Sequence, residues 1–208
     1  MTTEEMITRI RSILDEREAG FWSETEVINA LNDAQDEVVN YCLFVFTSGG
    51  VDSRLPLLLT PLQQEVVYEA VTGLWVTLPE GFMYPVSVKC AISDGEEEKP
   101  CVFKSPGANH FYEEDNHWLK PGEKNLYCYI TGGKLNFSTT INNGTVKMLY
   151  LKKADRITNE NDCLLPDNAS GAIIAAAASQ LLEKDKQYEE SGALYAMFTA
   201  KIEKLILL

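Results

Sequence analysis

Hydrophobic spacing changes period twice along this chain, and that double switch limits the folds open to it. Met6, Ile10, Ile13 and Leu14, and then Val27, Leu31, Ala34, Val38 and Cys42, recur at helical intervals. Between about 74 and 151 the period drops to two. Val86, Val88, Cys90 and Ile92 alternate with Ser87, Lys89 and Ala91, and Leu126, Cys128 and Ile130 alternate with Tyr127, Tyr129 and Thr131. After Leu165-Pro166-Asp167 helical spacing returns with Ala169, Ala172, Ile173 and Ala176, followed by a second stripe of Leu194, Phe198, Ile202 and Leu205. Helices, then strands, then helices predict an α+β chain with segregated elements. The expected architecture is a helical bundle of N-terminal and C-terminal amphipathic helices around or beside a small antiparallel β meander. One domain over 1–208 is expected, with helices in 1–46, a β-rich insertion in 47–163 and helices in 164–208.

Local signals sharpen this outline. A helix over 3–15 starts after a Thr cap and breaks at Ala19-Gly20. Ser23-Glu24-Thr25-Glu26 is a capping box: Ser23 accepts from the Glu26 amide, and the Glu26 carboxylate reaches back to the Ser23 amide. Trp22 and Val27 flank it as a hydrophobic staple, and the helix runs to about residue 44. Residues 47–62 read as a loop with Gly49-Gly50, Pro56 and Pro61 as breakers; Thr60-Pro61 suits the cap of a short helix, whereas Val66-Val67-Tyr68 favours a strand, and the segment stays open between the two. Gly132-Gly133 supplies the positive φ angles of a hairpin turn into Leu135 and Phe137, and Asn142-Asn143-Gly144 reads as a second turn. Leu165-Pro166-Asp167 is expected to cap the last helical region, with a break near Ser191-Gly192 dividing it. Pro106-Gly107 and Pro121-Gly122 mark an exposed loop.

The function classes narrow by charge and by missing groups. A net charge of -13 opposes general nucleic-acid binding, which needs clustered Lys and Arg. One local exception is the run of Lys134, Lys147, Lys152, Lys153 and Arg156 against Asp155 alone. It reads either as the solvated face of a hairpin or as a strip that docks an acidic neighbour or touches DNA. Five widely spaced cysteines without a C-x-x-C pair (Cys42, Cys90, Cys101, Cys128, Cys163) suit buried, reduced thiols. His110 and His117, the only histidines, lack the i, i+4 spacing of a metal pair, so no metal, cofactor or catalytic residue is expected. The acidic runs at Asp94 with Glu96-Glu97-Glu98 and at Glu113-Glu114-Asp115 read as solvated turns. The aromatics Tyr127, Tyr129, Phe137 and Tyr150 fit sheet packing better than a stacking platform for bases. No secretory leader or membrane span is visible, which predicts a soluble cytoplasmic product.

The order of these motifs resembles that of podovirus-type head-to-tail adaptor proteins of tailed bacteriophages. The resemblance is carried by Phe21 to Val38, by Leu78-Pro79 and Phe82 before Val86, and by the hairpin Tyr129 to Ser138. The strand Gly144 to Lys153 and Leu165-Pro166 ahead of Ile173 to Leu182 complete it. It implies a structural virion protein at the neck or portal vertex, not an enzyme. Copies would form a closed ring with the portal's twelvefold symmetry, dock on the portal protein, carry a tail or nozzle protein, and extend a channel for passing double-stranded DNA. Ala172, Ala176, Leu194 and Phe198 are the candidate faces for packing between subunits. A soluble β-rich carbohydrate-binding module using Phe111, Tyr112 and Trp118 is the rival reading.

Overall fold

The computed structural model describes residues 1–16, 21–48, 55–104 and 126–206. The chain divides into two compact units, residues 1–62 with 154–208, and residues 63–153.

The first unit is helical. Helix α1 (Thr3–Ile13) starts on a capping box of its own, in which Thr2 accepts from the Glu5 amide and Glu5 from the Thr2 amide. Helix α2 (Glu24–Ser48) begins where the second box was expected. The Ser23 amide donates to Glu26 at 3.1 Å, the Glu26 amide to Ser23 at 3.3 Å, and Trp22 and Val27 are both buried. A short 3-10 helix (Leu57–Leu62) follows, and a second (Asp167–Ala169) leads into α3 (Ser170–Lys184) and α4 (Tyr188–Ile206). Helix α3 is buried on nearly every side from Ala172 to Ser179, because α1, α2 and α4 all pack against it. Its run of alanines lets three neighbours approach closely.

Two local expectations fail here. Asp167 makes no capping bond; its carboxylate pairs with the Met1 amine. The division between the last two helices falls at Lys186, in the left-handed region (φ 65), where the Gln187 amide closes the turn on the Leu182 carbonyl at 2.9 Å. Ser191 and Gly192 lie inside α4 instead, with the buried Ser179 hydroxyl donating to the Ser191 carbonyl.

Buried amides hold the chain's return leg on α2. The Asn32 side chain donates to the Ile157 carbonyl at 3.0 Å and accepts the Ile157 amide at 2.8 Å, as a neighbouring strand would. Gln35 donates to the Asp155 carbonyl at 3.0 Å.

The second unit overturns the expected small meander. It is a five-stranded sheet in the order β1-β5-β2-β3-β4 in which β4 also pairs with β5, so four strands close into a barrel and β1 is added outside. The strands are β1 (Gln63–Thr77), β2 (Phe82–Ala91), β3 (Lys99–Phe103), β4 (Tyr127–Thr131) and β5 (Lys134–Lys152). Pairing is antiparallel throughout except between β3 and β4, which run parallel. A structure with this much closed sheet is not a helical bundle beside a meander. Closure depends on β5. Its early residues pair with β4, its later ones with β2, and nearly its whole length with β1.

The hairpin at Gly132-Gly133 forms as its residues dictate, with both glycines at positive φ. Asn142-Asn143-Gly144 does not turn the chain. Asn143 takes a φ of 54 and β5 kinks but continues. Gly144 is needed for a different reason: a Cβ there would lie 2.0 Å from the Ala91 carbonyl oxygen of β2. The barrel interior is filled by Val88, Cys90, Cys101, Cys128, Leu135, Phe137, Val146, Met148 and Tyr150, among others.

Candidate interaction surfaces

Of the helix-face residues named from sequence, Ala172, Ala176 and Phe198 are buried within the chain's own helical unit and Leu194 is half-buried. Phe198 packs beside Tyr195, ring centroids 5.4 Å apart. The outward surface of α4 carries Tyr188, Tyr195 and Met197, with the Tyr195 hydroxyl donating to Glu37 at 2.9 Å.

The basic residues are distributed along β5. Lys134 opens the strand, and its ammonium sits 3.5 Å from the centre of the Trp75 ring. Lys147 makes an ion pair with Glu98 at 2.6 Å, which raises its pKa above the ordinary lysine value. Lys152 and Lys153 adjoin at the far end of β5, where the Lys153 amide donates to the Gly81 carbonyl at 2.7 Å. Arg156 is exposed and belongs to the other compact unit. Lys134 and Lys152 thus mark opposite ends of a nineteen-residue strand.

Trp75 is the residue that sequence reasoning overlooked. It stands opposite Asn136, which stands opposite Tyr129, so Tyr129, Asn136 and Trp75 share one outward row across β4, β5 and β1. Lys134 lies on the next row of the same face, opposite Thr77, and its side chain reaches diagonally over the indole. Trp75 is 48% exposed and its neighbour Leu74 49%. Leu74 falls in the register shift between Gly73 and Trp75, which turns it out of the barrel. The available signal was the Gly73-Leu74-Trp75 sequence itself: glycine inside a strand marks a bulge, and the bulge turns the next side chains outward.

The aromatics weighed as a stacking platform divide. Tyr127, Phe137 and Tyr150 are buried, and Tyr150 stacks on Phe82 with centroids 5.8 Å apart. Phe111, Tyr112, Trp118, His110, His117 and the acidic run 113–115 lie outside the described residues, as do Ala19-Gly20, Gly49-Gly50, Pro106-Gly107 and Pro121-Gly122.

All described thiols are free, and four of the five are buried. Burial pushes Cys42 up to about 11. Hydrogen bonding to Cys128, with burial added, pushes Cys101 up to about 12. Such thiols stay protonated and are poor nucleophiles. Among the described residues no group of three His, Cys, Asp or Glu side chains could hold a metal ion, and no helix is long and apolar enough to cross a membrane.

Charge is divided unevenly. The helical unit's residues include twenty carboxylates against nine Lys and Arg, whereas the sheet unit has eleven against nine. Nearly all of the net negative charge therefore belongs to the helices.

No curated protein matches the chain. A family model described as SU10 adaptor protein matches residues 1–207. That match covers essentially the whole sequence and agrees with the phage-adaptor resemblance carried by its motifs, so the chain belongs to the SU10 adaptor protein family of bacteriophage structural proteins.

Proposed function

We propose that copies of this protein assemble into a closed ring at the portal vertex, joining portal protein to tail and extending the channel through which DNA leaves the head. The observation that carries this reading is the adaptor family match over residues 1–207. The role is structural and non-enzymatic. Buried thiols held protonated, as at Cys42 and Cys101, suit assembly and not bond-making chemistry. A ring of identical copies contacting head to tail needs two different surfaces on each chain, because a self-complementary contact stops at a dimer. The uneven charge of the two units provides surfaces of different character. Acidic helices facing the channel would repel DNA and let it pass without adhering.

Electron microscopy of purified particles tests the reading. A ring of density between portal and tail, into which both units fit in repeated copies (twelve, if the portal's symmetry is kept), is the expected outcome. Particles that lack the protein, or that carry it as isolated single copies, would refute it.

A further inference from the structure

The sheet unit's outward face around Trp75 differs in kind from the rest of that unit. Trp75 and Leu74 are each about half exposed, Val67 is 42% exposed farther along the same strand, and Lys134 lies 3.5 Å above the indole. Strand β1 is also the sheet's open side among the described residues, since it pairs only with β5. Isolated exposed apolar residues are ordinary, but an adjoining Trp and Leu under a stacked cation form an anchor of the kind that dominates binding energy at interfaces.

We infer that the Trp75–Leu74–Lys134 surface is where the acidic helical unit of a second copy of this chain docks. The inference rests on the ring reading above and names one of its two contact surfaces. Three observations taken together identify the occupant. First, a β1-to-β1 pairing between copies would be self-complementary and would end at a dimer, so the open strand cannot build a ring with its own equivalent. Second, among the described residues Lys134 is paired with a ring and not a carboxylate, leaving its charge to be met by an acidic partner. Third, the helical unit holds an excess of eleven carboxylates over its bases, and Glu24, Asp33, Glu189, Glu190 and Glu203 stand exposed on α2 and α4. The sheet unit exposes acids too, Glu65, Glu69, Glu80, Asp94, Glu96 and Glu97, but its excess over bases is two against the helical unit's eleven. Charge complementarity of this type sets register and suppresses wrong partners, while the indole supplies the buried area.

The test uses whole particles in which Trp75 is replaced by the photoreactive residue p-benzoylphenylalanine, followed by irradiation and peptide mapping. The expected product has twice the chain's mass, with the new bond joining position 75 of one copy to α2 or α4 of another. Lys134→Glu, which reverses the charge beside the indole, is expected to reduce that product at least tenfold. A bond to a different virion protein, to the sheet unit of a second copy, or to nothing in particles that do contain the ring would overturn this inference and leave the ring standing. Particles without the protein would overturn the ring reading and this inference with it.

Discussion

Gly144→Ala is the most informative single change in the barrel. The added methyl would lie 2.0 Å from the Ala91 carbonyl oxygen and 2.6 Å from Ile141 Cγ2. The first neighbour is backbone, so no rotamer change relieves it. Strands β2 and β5 must separate by about an ångström to restore ordinary contact, an overpacking cost of roughly 1–3 kcal/mol. The same movement strains the hydrogen bond from the Asn142 amide to the Ile92 carbonyl, 2.7 Å long, worth about 1 kcal/mol. A total of about 2–4 kcal/mol corresponds to a loss of amide protection on the order of 30- to 700-fold. Hydrogen exchange read by mass spectrometry on peptides from β2 and β5 measures it directly. Gly192→Ala is the control: it sits in α4 with open space around it and should stabilise the helix by about 1 kcal/mol. Unchanged protection at Val146, Met148 and Tyr150 in the Gly144 variant would refute the close-approach argument.

Three further outcomes are expected. Asn32→Ala leaves the buried Ile157 amide and carbonyl without partners and should cost about 2–5 kcal/mol, read from urea denaturation followed by far-UV circular dichroism; a change under about 1 kcal/mol would contradict it. The Lys184 ammonium, 2.6 Å away, with Ser23 assisting, holds Glu26 at about 2, below its ordinary 4.5. The folded-state value being lowered, its stabilisation is complete above pH 4.5 and fades as pH falls toward 2, so Glu26→Gln should flatten the acid limb of a stability titration over that window. Finally, a thiol reagent at pH 8 should label the native protein slowly and the urea-unfolded chain at all five cysteines at once, since four of the thiols are buried and Cys42 and Cys101 are held protonated besides.

What could be read from sequence was what depends on near neighbours. The box at Ser23 and Glu26 involves residues three apart, and the Gly132-Gly133 turn needs only its own two glycines, so both appear in the structure as expected. Alternation in Cys90 and Cys128 located thiols that do face the barrel interior. Asn142-Asn143-Gly144 misled because a left-handed asparagine followed by glycine serves a kink as well as a turn. Which of the two occurs was decided by Ala91, half the sheet away in sequence. Barrel closure and the parallel pairing of β3 with β4 are likewise long-range facts with no local signature. At the surface, the basic run could be counted, but not how the long strand β5 would disperse it. Trp75 passed unremarked because exposure is a property of the bulge beside it.

Strand β5 has a mechanical consequence. It borders three other strands, so a slip of one residue along it would swing Val146, Met148 and Tyr150 out of the interior all at once. No stave can therefore creep independently. A pull applied at the Lys134 end is passed on through one continuous backbone to Lys152, which makes this small barrel a stiff strut.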